Sequence, residues 1–131
     1  MNNKLDKILA EISAGELIDK ITILEIKKKK IKDSEKLKDI EKELSSLNTT
    51  LKNAISDTSK ISELIKKLKF INIKLWDIEN GKRLAEKNNN FDEKFVELSR
   101  SVYKNNDERS KIKLEINNIL GSNIKEVKSH Y

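Results

Sequence analysis

The chain has 131 residues, of which 38% are charged and 36% hydrophobic, and its formal net charge is +6. It contains no Cys, which excludes disulfides and thiolate metal sites. It also contains no Pro and only three Gly, a composition that argues against a turn-rich all-β domain. No apolar run approaches the ~18 residues of a transmembrane helix and no secretory signal pattern is present, so we expect a cytoplasmic domain without a membrane span.

The positive charge does not by itself predict a nucleic-acid partner. Lys residues are scattered along the chain, and no groove-entry motif or alternation of aromatic and basic residues appears. The densest basic run, "KKKKIK" at 27–32, falls at the end of a predicted helix, where cations complement the helix dipole. Nucleic-acid binding is therefore not the expected function.

The first predicted helix covers residues 14–31 and follows a lead-in of residues 1–12. "SAGE" at 13–16 is a capping box, in which Ser13 accepts from the backbone N–H of Glu16 and Glu16 reaches back. Ile23 and Ile26 widen the apolar face, which predicts neighbours on two sides of this helix. The main face consists of Leu17, Ile18, Ile21, Leu24 and Ile31.

A second helix is predicted over residues 34–54, after a break near Asp33. Its apolar residues recur at alternating steps of three and four, which is typical of a coiled-coil-like contact. They are Leu37, Ile40, Leu44, Leu47 and Leu51. The first two helices therefore predict an antiparallel hairpin over 13–54, and "SDTS" at 56–59 predicts the next turn.

Two longer helices are predicted over residues 60–87 and 91–120, joined by "NNN" at 88–90, with Asn90 as the N-cap of the second. Each has about 28 residues and a length of ~42 Å. Gly121 is placed to end the last helix, and the tail 121–131 either docks or frays. The whole chain predicts one all-α domain, a helical bundle of two antiparallel hairpins, of which the second, 59–120, is long and coiled-coil-like.

The rarest residue types cluster in "LWDIEN" at 75–80 and "RSVYKNNDER" at 100–109. If the long helices pair antiparallel, residues whose numbers sum to about 179 lie level, which places Trp76 beside Tyr103. The apolar seam of the third helix includes Leu64, Leu68 and Ile71. That of the fourth includes Leu98, Val102 and Ile112. Residues one position after each seam share a side of the hairpin. We therefore expect one groove, covered by the first helix and lined by Asn72, Trp76, Glu79, Tyr103 and Asn106.

Arg100 and Arg109 are two of only three Arg among 28 basic residues. A guanidinium is a planar fork of donors that suits a carboxylate or a phosphate. Asp19, Lys20 and Asp107 complete the candidate ligand or partner site. The alternative is a buried polar cluster that only sets the register and orientation of the helices.

Five stretches resemble, in order, a family of small bacterial proteins known only as a domain of unknown function. They are "SAGELIDKITILEIK" at 13–27, "LWDIEN" at 75–80, "FVELSRSVYKNNDER" at 95–109, "IKLEINNILGS" at 112–122 and the closing "KSHY". Members usually read Ser-Pro-Gly-Glu-Leu, where this chain has Ala14 in place of Pro. The resemblance covers about 13–131 and implies candidate residues without roles: Glu16, Asp19, Lys20, Glu25, Trp76, Glu79, Arg100, Tyr103, Asn106, Asp107, Arg109 and Lys128.

The function that we expect is non-catalytic binding of a small anionic ligand or a protein partner, without a cofactor, in a homodimer formed through apolar surface on the first two helices. One alternative is a metal-dependent, all-α nucleotide pyrophosphatase-like enzyme in which Glu16 and Asp19 hold Mg²⁺, although a second acidic pair is missing. Another small helical enzyme would place Arg100, Arg109 and Lys20 around a dianion. A third alternative is a purely structural homodimeric bundle.

Overall fold

The computed structural model describes residues 4–129, which form four α-helices and a short 3₁₀ turn. The elements are α1 (Ala14–Lys30), α2 (Ser34–Ala54), the turn Ser59–Ile61, α3 (Ser62–Lys87) and α4 (Glu93–Leu120). The predicted all-α bundle is confirmed. None of the helices in this part of the chain combines the length and the apolarity needed to cross a bilayer.

Side-chain caps set the starts of the first two helices. The Ser13 hydroxyl accepts from the backbone N–H of Glu16 at 3.1 Å, as the capping box predicts. The Glu16 carboxylate does not complete the box, because it binds Lys113 on α4 instead. Asp33 caps α2 by accepting from the N–H groups of two residues in its first turn.

The predicted N-cap of the last helix is wrong by two residues. Asp92, and not Asn90, caps α4 by accepting from the N–H of Phe95. Asn90 donates its own N–H to the carbonyl oxygen of Ala85, and so closes the turn that follows α3. At the other end of α4, Gly121 adopts the left-handed conformation with a φ of 66°, which confirms it as the stop.

α1 is the central helix of the bundle and contacts α2, α3 and α4. Ile18 belongs to the apolar cluster that also includes Leu68 of α3 and Ile116 of α4. Leu17 and Leu24 belong to a second cluster, shared with α2. α1 therefore lies on the long hairpin, and α2 packs on the outer side of α1.

The long hairpin has the predicted register. Gly81 of α3 and Leu98 of α4 were expected at the same level, and a Cβ added at Gly81 would lie 3.3 Å from a methyl group of Leu98. The buried residues Leu64, Leu68 and Ile71 follow the predicted apolar face of α3. This register places the middle of both long helices beside α1.

The tail docks. After Gly121 the chain turns back, and the Ser122 hydroxyl accepts from the backbone N–H of Ala14 at 3.0 Å. Further along, Glu126 reaches Lys113 and Lys128 reaches Asp107. The segment 122–129, called the tail strap below, therefore runs back along α4 in the opposite direction.

Candidate functional site

Asp19 is the centre of the polar interior. Its side chain is fully buried on α1, at the level where α1 faces both long helices. The carboxylate accepts from Arg109 of α4 through Nε, at 3.0 and 3.1 Å, and through Nη2, at 2.5 Å. It also accepts from Asn72 Nδ2 of α3 at 2.8 Å. One carboxylate thus joins three helices.

Thr22, one turn after Asp19, completes this arrangement. Its hydroxyl donates to the Asp19 carbonyl oxygen and accepts from Asn72 Nδ2, both at 2.8 Å. Within residues 4–129, no buried side-chain nitrogen or oxygen lacks a hydrogen-bond partner. The buried polar groups therefore do not carry the desolvation penalty of unpaired ones.

Lys113 is the second cation of the interior, one helical turn after Arg109. Its ammonium donates to Glu16 at 2.6 Å and to Glu126 at 3.0 Å, and lies 3.8 Å from Asp19. Burial by itself lowers the pKa of Lys113, but the hydrogen bonds to the two glutamates and the charge of Asp19 outweigh it and raise the pKa above its ordinary value. Lys113 is therefore charged at neutral pH although its side chain is only 9% exposed.

The partners of Arg109 fix its orientation but accept hydrogen bonds from only some of its N–H groups. Besides the bonds to Asp19, Nη1 donates to Asn106 at 3.1 Å. Of the five N–H groups of a guanidinium, these bonds use three and leave two without a partner among residues 4–129. The hydrogen bond to Asp19 raises the pKa of Arg109, which keeps the group charged. With 27% of its side chain exposed, Arg109 can still donate to a molecule outside the protein.

A cavity of about 390 Å³, called the Trp76 cleft below, opens beside Arg109 between α1 and α3. Trp76, half-buried, lines it together with Asn72 and Glu79. The remaining lining residues are Ile23, Ile26, Leu75, Asn80, Arg83 and Arg109. The cleft therefore combines an aromatic and aliphatic wall with one oriented cation and one carboxylate.

The structure brings only part of the predicted groove together. Asn72, Trp76, Glu79 and Arg109 share the Trp76 cleft, and Asn106 lies behind it as a partner of Arg109. Tyr103 is 57% exposed and is not among the residues that line the cleft. At about 100° per residue, Tyr103 lies about 120° around α4 from Arg109, so the level of Tyr103 is correct but its face is not.

The other predicted site residues lie outside the cleft. Arg100 is exposed, Lys20 is exposed and lies 3.9 Å from Glu16, and Asp107 pairs with Lys128 of the tail strap at 3.0 Å. Of this group, Asp107 lines a separate cavity next to Lys113.

Lys113 and Glu126 were missed by the sequence analysis. Lys113 could have been found, because it follows Arg109 by four residues and so lies on the same face of α4. Glu126 carries no such signal, since it follows the last helix and its position depends on the direction of the tail strap.

Glu16 and Asp19, the metal ligands of the enzyme alternative, face the cations Lys113 and Arg109. Glu16 binds Lys113, and both oxygens of Asp19 bind Arg109. Within residues 4–129, no group of three or more His, Cys, Asp or Glu side chains is placed to hold a metal ion. Both acids are therefore engaged in ion pairs with basic side chains of α4.

Comparison with known proteins identifies the family but no characterised relative. No curated protein matches the chain. No solved structure matches it either. The family of unknown function DUF6165 matches residues 8–131. A chain matched over nearly its whole length belongs to this family of unknown function, DUF6165.

Proposed function

We propose that the protein is a non-catalytic binding module and that the Trp76 cleft takes a small anionic ligand. The observation that carries this proposal is the state of Arg109. The guanidinium is fixed by a fully buried carboxylate, yet two of its N–H groups have no partner among residues 4–129, and Arg109 lines the cleft.

Fixing the guanidinium in advance favours binding. A free Arg side chain loses rotamer freedom when it orders around a ligand, whereas Arg109 is already ordered by Asp19 and Asn106. Its planar fork suits a carboxylate or a phosphate. A ligand anion would thus meet a cation that needs little rearrangement.

Trp76 indicates what the rest of the ligand resembles. The indole with Ile23 and Leu75 forms an apolar wall of the cleft. Such a wall favours a flat ring or an aliphatic body attached to the anionic group. Glu79 lies 4.0 Å from Arg83, a long ion pair that leaves the carboxylate able to accept from a hydroxyl or an amine. The ligand class is therefore a small carboxylate or phosphate ester with an apolar part.

The enzyme alternative has less support from the geometry. A metal-dependent pyrophosphatase needs acidic groups that face the substrate. Glu16 and Asp19 face Lys113 and Arg109 instead, and Glu79 is the one acid that lines the Trp76 cleft. Binding without chemistry needs no change in these pairings.

Fluorescence of Trp76, the only Trp, tests the proposal. Nucleoside triphosphates, sugar nucleotides and aromatic carboxylates are titrated into the wild type, into Arg109→Lys and into the control Arg100→Lys. Lys keeps the charge but lacks the planar fork. We expect a saturable change in the wild type and in the control, and an affinity at least about 10-fold weaker in Arg109→Lys.

Two outcomes contradict the proposal. Equal affinities in all three proteins would show that Arg109 does not hold the ligand. A blue-shifted, quencher-resistant Trp76 emission that no compound changes would instead make the cluster structural, as in the bundle alternative.

A further inference from the structure

We propose that Lys113 is the centre of a second anion site and that Glu126 of the tail strap occupies it from within the chain. In this proposal a small external carboxylate or phosphate displaces the Glu126 side chain and takes its place on the Lys113 ammonium. Arg109 lines both the Trp76 cleft and one of the cavities beside Lys113, but this proposal concerns the Lys113 ammonium and does not depend on whether the cleft binds a ligand.

The surroundings of Lys113 leave room for such an anion. Cavities of about 340 and 480 Å³ lie on the two sides of the strap. Ser110, Lys113, Glu126 and Lys128 line both of them, so the strap divides one larger depression. Because Lys113 forms part of both walls, moving Glu126 would expose the ammonium to a continuous space.

Lys113 already binds one carboxylate more than charge balance in the interior requires. The two interior cations, Arg109 and Lys113, are matched by the two acids of α1, Asp19 and Glu16. Glu126 is an additional carboxylate, and it binds Lys113 at 3.0 Å with 54% of its side chain exposed. The site thus already holds an exchangeable oxyanion, and this oxyanion belongs to the protein itself.

The strap is held in a way that allows exchange. It contains no helix, and its apolar residues Ile124 and Val127 are 40% and 87% exposed. Its contacts include polar ones to Ala14, to Glu11 and to the side chains of α4. Segments with few buried apolar contacts open at low free energy, so an external anion competes with a weakly held segment.

The hydroxyl of Ser110 and the ammonium of Lys113 recognise oxygen anions without requiring a planar partner. Both phosphate and a small carboxylate meet this condition. Inorganic phosphate and succinate therefore serve as separate probes, with chloride at equal ionic strength as the reference because exposed ion pairs also respond to salt.

The test compares the wild type with Glu126→Gln and with Glu115→Gln, which removes an exposed acid elsewhere on α4. Hydrogen exchange of residues 122–129 reports the strap, and calorimetry reports binding of phosphate or succinate. We expect Glu126→Gln to bind at least one probe about 10-fold more tightly and to speed exchange of the strap. Glu115→Gln should match the wild type in both measurements, and Lys113→Met should bind neither probe.

Equal affinity and equal strap exchange in Glu126→Gln and the wild type would overturn the proposal. So would an absence of binding in every variant, or binding that survives in Lys113→Met. These results leave the Trp76 cleft undecided, because ligand binding in the cleft is measured separately, by Trp76 emission in the wild type and in Arg109→Lys. If no compound changed Trp76 emission in the wild type while Glu126→Gln still bound a probe more tightly and sped exchange of the strap, the cleft alone would be overturned.

Discussion

At the scale of single residues, the polar contacts that join α1 to α3 and α4 depend on one buried acid, Asp19. A buried ion pair contributes little net stability when both partners are present, since both groups lose their hydration. Removing one partner is costly, because the other charge is left uncompensated. Asp19 is fully buried and Arg109 is partly exposed, so the two partners differ in how well water can replace the missing group.

Asp19→Asn should destabilise the fold by about 3 kcal/mol, because it leaves Arg109 without its counter-charge. Urea denaturation followed by circular dichroism measures the loss. The matched control, Asp39→Asn, changes an exposed acid on α2 and should stay within about 0.5 kcal/mol of the wild type.

Adding Arg109→Gln to Asp19→Asn should restore part of the stability, because the uncompensated charge is then gone. A loss below about 0.5 kcal/mol in Asp19→Asn would show that the ion pair does not hold α1 to α4.

At the scale of elements, Gly15 determines how closely α1 approaches α4. A Cβ added there would lie 2.5 Å from the Lys113 carbonyl oxygen and 3.0 Å from Asn117 Oδ1. The same Asn117 oxygen accepts from the Gly15 N–H at 2.6 Å. Since the nearest atom is backbone, the helices themselves would have to move apart to admit a side chain.

Gly15→Ala should therefore cost about 1–3 kcal/mol, despite the better helix propensity of Ala. Gly81→Ala is the matched control, because its new Cβ would meet only the end of the Leu98 side chain, at 3.3 Å. There the gain in propensity should leave the stability between unchanged and about 1 kcal/mol higher. Thermal denaturation of both variants measures the contrast, and similar effects in the two would refute the close crossing at Gly15.

At the scale of the whole molecule, the helices are unequally covered. Among the helices of residues 4–129, α1 is packed from both sides, whereas α2 contacts α1 alone. In α2 only Ile40 and Leu44 are buried. α2 is therefore an outer layer on a three-helix core of α1, α3 and α4.

Native-state hydrogen exchange should reflect this layering. Amides of α2 near Leu44 should exchange at least about 10-fold faster than those of α3 near Leu68, because fewer buried contacts hold α2 in place. Equal protection would contradict the expected outer layer. If protection of α2 rose with protein concentration, a second copy would be covering it, as the predicted homodimer requires.

The helices themselves were predictable from the sequence. Apolar spacing predicted all four, and capping chemistry placed the start of α1 and the end of α4. The antiparallel register followed from the short turn between the long helices, since a short link leaves no other pairing. Local signals sufficed here because helix period, caps and turn length act over only a few residues.

The grouping of the site residues was decided by the tertiary structure. The sequence analysis placed Tyr103 in the groove and omitted Lys113, although both lie on the same helix as Arg109. Which face of α4 meets α1 depends on the crossing at Gly15, and the position of Glu126 depends on how the tail strap returns. The contacts between α1 and α4 join residues 90 to 102 positions apart, and a helix period carries no information over that separation. The sequence by itself thus determined the four helices and the hairpin register, whereas only the packing of α1 and the tail on α4 decided which charges meet.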